Sequence, residues 1–423
     1  DYGKYSLESD QRQPNKYFDE SKEVLLTERI NFFETPSTID IYTFKADYEE
    51  EIWEGKLGLG TKFSKVVSDN TFLFFDEIDN EKVRDDDNSN AFKYDETVYA
   101  AYVNYARPIS QTWSFSAGVR AELTDALGEL DAFLPQNQED PVKQDYLSFF
   151  PSVGLTWQLN PKNVMNLNYG RRINRPDYNV LNPFNNQLSE LSYSKGNPRL
   201  RPEIVNNLEL GYTLAYRYNF KLAYSKTSDQ ITRLIAPDED DPRAGFISWD
   251  NLASQTVWSF NVSAPHQVTK WWSLFFNASA NYTDNQADYG GGAVVDVQAF
   301  GYNFYQQHTF TLPKGFKGEL SGWYSGPGVW GGVFKFDPSY SINVGLQRKF
   351  LNDQLNVRVS ANDIFFQSGW SGVSNFNGLT STGQGNWDSR RVSLSLSYNF
   401  GNQNVKSRKR KTGIEEESKR VGG

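Results

Sequence analysis

The sequence predicts an all-β fold: a transmembrane, antiparallel, up-and-down β-barrel over residues 1–400, with a charged periplasmic tail over 401–423. Three observations carry this. Long segments alternate apolar and polar residues, as a strand does when successive side chains point to opposite faces. The chain is polar overall, with a mean hydropathy of -0.63, yet 15% of it is aromatic. Short and long turns also alternate along it.

The final strand shows the first pattern best. Val392, Leu394, Leu396, Tyr398 and Phe400 share one face, and Ser393, Ser395, Ser397 and Asn399 share the other. Hydrocarbon outside and a polar lumen inside select that arrangement. The same texture recurs at 355–360, 340–347, 207–214, 273–282 and 113–119. A soluble sandwich also alternates, but its strands average about five to six residues. Many segments here are long enough for a tilted strand to cross a bilayer, while no run approaches a transmembrane helix. Abundant Tyr and Trp suit the aromatic girdles of a membrane barrel.

Short polar turns are expected at 50–55, 107–112, 160–163, 217–219, 265–270, 313–316 and 351–354. Longer ones are expected at 78–91, 124–146, 171–203, 229–250, 284–296, 326–338 and 363–388. Outer-membrane barrels place short turns in the periplasm and long loops outside. If the last strand descends, the alternation closes without a parity error. About 16 strands result: 2–10, 23–49 interrupted at Pro36, 56–78 rising above the lipid, 92–107, 111–123, 147–159, 162–171, 204–216, 218–228, 251–264, 271–283, 297–311, 315–326, 339–350, 353–362 and 389–400.

Composition narrows the chemistry. The chain has no cysteine, so disulfides, thiolate metal sites and cysteine nucleophiles are excluded. One methionine, Met165, and two histidines, His266 and His308, leave little for haem or transition-metal ligation, and both histidines read as structural. The net charge of -9 gathers in acidic runs, Asp85–Asp87 and Asp238–Asp241. These read as solvated loop tips, with divalent-cation binding at the surface as the alternative, and they lack the ligand spacing of an EF-hand. No basic stripe points to nucleic acid. No Ser-His-Asp set or phosphate loop is visible, so no enzyme, catalytic residue, cofactor or metal site is predicted. Asp1-Tyr2-Gly3-Lys4 reads as strand interior, so a processed or partial sequence is expected. The tail, with Lys406 to Lys411, Glu415 to Glu417 and Lys419-Arg420, is too polar to pack a core; a free, disordered tail is expected, with a specific docking peptide as the alternative, and a short helix from Gly413 is compatible with its charges.

One stretch is more specific: Phe149-Phe150-Pro151-Ser152, then Arg171-Arg172-Ile173-Asn174-Arg175-Pro176-Asp177-Tyr178, Leu181-Asn182-Pro183-Phe184, and Gly196-Asn197-Pro198-Arg199-Leu200-Arg201-Pro202-Glu203. With the terminal aromatic strand and charged tail, it resembles the outer-membrane barrel of TonB-dependent receptors. That resemblance covers nearly the whole chain. It implies a 22-stranded barrel with an N-terminal plug domain, energised by the TonB system through a segment ahead of the plug; this chain would hold the C-terminal strands. The implied partners are outer-membrane lipid and lipopolysaccharide, the plug, the TonB system and an extracellular solute.

Physically, Pro176, Pro183, Pro198 and Pro202 restrict the loop, Gly196 allows positive φ, and Asn182 and Asn197 can cap turns. Arg171, Arg172 and Arg175 offer planar forks. They either pair with acids such as Glu203 and Glu209, locking the extracellular wall, or touch an anionic ligand. The first role is the expected one. Tyr178, Trp249, Trp330 and Trp370, with Tyr289, Phe334 and Phe376 nearby, are candidate stacking surfaces for sugars, peptides or chelators; Trp387 reads as an interface anchor. The expected function is uptake of a large or scarce solute such as a siderophore, oligosaccharide or peptide. A non-transporting structural or adhesive barrel is the alternative.

Overall fold

The structure, a computed structural model, describes residues 1–189, 192–237, 245–288, 294–330, 334–376, 379–400 and 413–421. The strands in chain order begin with β1 (Tyr2–Leu7), β2 (Asp10–Phe18), β3 (Leu25–Glu34), β4 (Ser37–Ile52), β5 (Gly55–Ile78), β6 (Glu81–Pro108), β7 (Trp113–Ala132), β8 (Val142–Asn160) and β9 (Asn163–Asn174). They continue with β10 (Asn185–Ser189), β11 (Ser192–Lys195), β12 (Glu203–Leu214), β13 (Tyr218–Pro237), β14 (Gly245–Gln267), β15 (Trp272–Asp288), β16 (Val294–Thr311) and β17 (Phe316–Ser325). The last are β18 (Gly328–Trp330), β19 (Phe334–Phe336), β20 (Ser339–Phe350), β21 (Leu355–Asn362), β22 (Trp370–Phe376), β23 (Leu379–Gly385) and β24 (Arg391–Tyr398).

Sixteen of these form one antiparallel ribbon, in the order β1–β4–β5–β6–β7–β8–β9–β12–β13–β14–β15–β16–β17–β20–β21–β24. That agrees with the predicted number and with meander connectivity. Among the described residues β1 ladders only with β4 and β24 only with β21, so both edges of the ribbon are open.

The differences from expectation lie at the long-loop end. The 23–49 segment breaks at Pro36, which has no N–H for a ladder; β3 instead pairs with β2 and with the upper end of β5. The expected loop at 78–91 is a hairpin, with β5 and β6 running to a two-residue turn at Asp79–Asn80. Both turn residues have positive φ (53° and 65°), a region that Asp and Asn enter at lower cost than most side chains. The 124–146 loop is likewise shortened by β7 and β8. Segments expected as loops at 326–338 and 363–388 build a separate four-stranded sheet, β18-β19-β22-β23.

The two faces divide as the alternation requires. Phe44, Leu59, Tyr99, Val103, Leu123, Phe149, Val153 and Leu167 are exposed on the outer face. Lys62, Ser64, Glu96, Glu122 and Thr124 are buried on the inner face. The chain exposes 26361 Å², whereas a compact soluble monomer of this mass would expose roughly 16,600 Å². The excess is that of an open ribbon with two accessible faces, and the contiguous apolar residues of its outer face need hydrocarbon around them. The inner face is not polar throughout. Toward the long-loop end Ile39, Ile41, Val66, Phe72, Phe92 and Tyr94 form an enclosed core.

Leu167→Arg, on the outer face near mid-strand, is expected to destabilise the folded barrel by about 2–4 kcal/mol. Asn168→Arg, on the inner face, is expected to cost far less. Denaturant titration of both variants refolded into lipid vesicles checks this.

Candidate functional site

The specific loop that follows β9 folds inward. Pro176 and the short helix α1 (Tyr178–Leu181) turn the chain onto the inner face, where Tyr178, Leu181, Phe184 and Leu200 complete the enclosed core. Gly196 does not adopt the expected positive φ; it is required because a Cβ there would lie 2.0 Å from the Asn182 carbonyl oxygen, so this crossing admits only glycine. The Asn197 N–H donates to the Val180 carbonyl at 2.8 Å, its side-chain amide donates to the Trp249 carbonyl at 2.9 Å, and its Oδ1 accepts from the Arg199 N–H at 2.9 Å. Gln144 Nε2 donates to the Leu200 carbonyl at 2.9 Å. Asn251 and Arg201 exchange side-chain–backbone bonds at 2.7 and 2.8 Å. Asn197 thus caps as predicted, whereas Asn182 Oδ1 is buried with no hydrogen-bond partner among the described residues.

Beside this loop lies a charged inner wall. Arg175 Nη2 donates to Glu122 Oε2 at 2.8 Å and to Thr124 Oγ1 at 2.9 Å, and Arg120 Nε reaches Glu122 Oε1 at 2.5 Å. The C-terminal segment joins the wall. Lys62 bridges Glu416 at 2.8 Å and Glu417 at 2.9 Å. Arg420 forks onto Glu96 at 2.5 and 3.2 Å, donates through Nε to the Pro176 carbonyl at 2.9 Å and stacks 4.2 Å from the Tyr178 ring centroid. The expectation of a free tail therefore does not hold for residues 413–421. The reason is charge pairing: Lys62 and Glu96 sit on the inner register of β5 and β6, where solvent is scarce, and the tail supplies their counter-ions. The short helix is a single turn, α2 (Glu415–Ser418).

The structure separates the predicted site residues. Arg175 has the expected locking role, but through Glu122. Glu203 and Glu209 are not the partners: Glu203 binds Asn174 and the Ile231 N–H, and Glu209 binds Asn207 and Lys221. Arg171 and Arg172 are exposed and form no ion pair among the described residues. By register, Arg171 shares the outer face with Leu167 and Tyr169, and Arg172 shares the inner face with Asn168 and Asn174. Tyr178 is buried, and burial pushes its phenol above its ordinary range. Trp249 is half-buried against the core. Trp370 is exposed in the small sheet, edge-on to Phe334 at 6.0 Å. Trp330 lies in β18, but its side chain falls outside the described residues, as do the Phe376 side chain and all of Tyr289. Trp387 is exposed just before β24.

The acidic runs also divide. Asp85 caps the N–H groups of Asp87 and Asn88, and Asp238–Asp241 lies outside the described residues. No cluster of three metal-ligating side chains occurs among the described residues. His266 bonds Tyr218 at 2.6 Å and His308 accepts from Trp272 at 3.1 Å, the structural roles expected.

Sequence reasoning missed Lys62, Glu96, Glu122 and Arg420. A signal exists for the first three, since each is a charge on the polar register of a long strand. Nothing local indicates that Arg420 returns to them.

Gly196→Ala is expected to unseat the loop and make it protease-sensitive in an otherwise folded barrel, read by limited proteolysis. Arg175→Ala is expected to cost roughly 1.5–3 kcal/mol, the worth of a hydrogen bond to a charged group, because Arg120 still neutralises Glu122; equilibrium unfolding measures it. Burial pushes the Glu416 carboxyl up, but its bond to Lys62 outweighs this and holds it below its ordinary value. The docking stability from this pair is then present above the free value of about 4.3 and lost as pH falls through the lower docked value. Tail proteolysis at pH 3 against pH 7 tests that sign.

The profile of the outer membrane protein beta-barrel family matches residues 1–398. No curated protein matches the sequence. Among solved structures, the ferric yersiniabactin uptake receptor FyuA from Yersinia pestis is similar at 12% identity and TM-score 0.61, over 95% of this chain and 59% of that one. The siderophore receptor PiuA from Acinetobacter baumannii is similar at 13% identity and TM-score 0.59, over 94% of this chain and 61% of that one. The copper transporter OprC is similar at 11% identity and TM-score 0.63, over 94% of this chain and 62% of that one. The chain thus spans about three fifths of the length of these proteins, and such distant identity speaks for the fold. Ribbon, faces, alternating turns and family profile agree: the chain belongs to the outer membrane protein beta-barrel family and resides in the outer membrane.

Proposed function

We propose that the chain is the barrel portion of an outer-membrane receptor that binds a large or scarce solute outside and passes it inward with energy from the TonB system. The observation that carries this reading is the long-loop end. There the mouth loop folds into the barrel interior, and Arg172 and Trp370, the latter edge-on to a half-buried Phe334, remain exposed at the same end of the ribbon. A wall held by internal bonds, with an uncommitted guanidinium and an aromatic edge facing solvent, is built to bind. The similar solved structures include a ferric yersiniabactin uptake receptor, a siderophore receptor and a copper transporter, which supports transport without naming the solute. Binding and passage need no catalytic group.

In this reading Arg172 contacts an anionic part of the solute, Trp370 stacks on it, and Arg171 faces lipopolysaccharide. The plug domain and TonB contact belong to the rest of the receptor.

The test is growth of the native host on single ferric chelates, oligosaccharides or peptides as the limiting nutrient. Growth on one of them should require this protein and collapse when the inner-membrane energy system is deleted. Growth that persists without that system would transfer the chain to the structural or adhesive class. For the solute so found, Arg172→Ala should lower uptake about tenfold or more, the factor expected from one charged hydrogen bond, with unchanged barrel yield.

A further inference from the structure

Segment 413–421 has the marks of a bound peptide. Its Gly413 N–H donates to Asp1 Oδ2 at 2.8 Å. Its paired carboxylates, Glu416 and Glu417, converge on Lys62. Three or four residues later its guanidinium enters a pocket made of the Glu96 carboxylate, the Pro176 carbonyl and the Tyr178 ring. The Tyr178 N–H returns a bond to the Arg420 carbonyl at 3.2 Å, and Ile414 and Val421 pack against the apolar core. The guanidinium is recognised in three ways at once: a bidentate carboxylate, a carbonyl on Nε and an aromatic face. Glu96 and Lys62 are almost wholly buried, so each would be a costly isolated charge without this occupant.

We propose that the inner wall of β5 and β6, with the mouth loop, is a peptide-binding site for an acidic pair followed by an arginine, and that its occupant is the chain's own segment 413–421, a strap that holds the mouth loop in the barrel. Residues 401–412 can span at most roughly 40 Å, so a released strap stays tethered near its site at high effective concentration. A cavity of about 270 Å³ lies between the strap and the wall, bordered by Arg175 and Glu122. Strap release therefore opens the interior directly beside the mouth loop. Pro176 and Tyr178 are at once loop residues and pocket walls, so loop position and strap occupancy are coupled.

Two measurements on the full chain test this. The chain has no cysteine, and a Cβ built at Gly413 lies 3.6 Å from that of Thr43, within disulfide range. Thr43→Cys with Gly413→Cys should cross-link under mild oxidation in folded barrels, and Gly413→Cys with Asn281→Cys, on the distant strand β15, should not. Equal yields in the two pairs would overturn the docked strap. The second measurement uses a fluorescent synthetic peptide of residues 413–421 added in trans. Folded barrels carrying Arg420→Ala, whose own strap has lost its anchor, should bind it at least tenfold more tightly than the unmodified chain. Adding Glu96→Gln should remove that gain. Folding is verified for each barrel by its heat-modifiable gel migration. Equal affinity for all three barrels, or no binding to the Arg420→Ala barrel, would refute the site.

Discussion

A strand immersed in hydrocarbon has no water to satisfy its peptide groups, so each strand of this ribbon depends on its neighbours for its backbone hydrogen bonds. That constraint precedes every other. It forces a meander of paired strands, makes them long, and leaves only side chains free to differ between the two faces. The outer face then carries Leu, Val, Phe and Tyr because lipid lies against it. The inner face can carry charges such as Lys62, Glu96 and Glu122 because partners can be brought to them.

The inner charges set the second level of organisation. Removing one partner of a buried pair leaves an uncompensated charge, so the wall is stable only as a network. Arg175 fastens the mouth loop to β7 through Glu122. Arg420 fastens the tail to β6 through Glu96 and to the loop through Pro176. The apolar core around Leu181 and Leu200 adds non-directional adhesion, and the Gly196 crossing allows the close approach. The mouth loop is therefore part of the wall, and solute contact falls to residues the network leaves unused, Arg172 and Trp370 foremost.

Much of the ribbon was legible in the chain. Strand period, the break at Pro36 and the turn alternation are local properties, and they yielded the sixteen strands and their order. The upper hairpins were not legible, because Asp85–Asn88 and Asp79–Asn80 read as loop chemistry while the ladder between β5 and β6 continues past them. Among the arginines, spacing showed a trio, but strand parity sends Arg171 and Arg172 to opposite faces and chain direction sends Arg175 inward.

Sequence alone determined which side chains of a strand share a face. Alternation with period two is imposed by the pleat of a single strand and holds wherever no bulge interrupts the ladder. Tertiary structure decided who meets whom. Whether Arg175 finds Glu122 or Glu203, and whether the tail lies free or against Lys62 and Glu96, depends on which groups the ribbon brings within ion-pair distance across tens or hundreds of residues. A short-range pattern holds no record of that proximity.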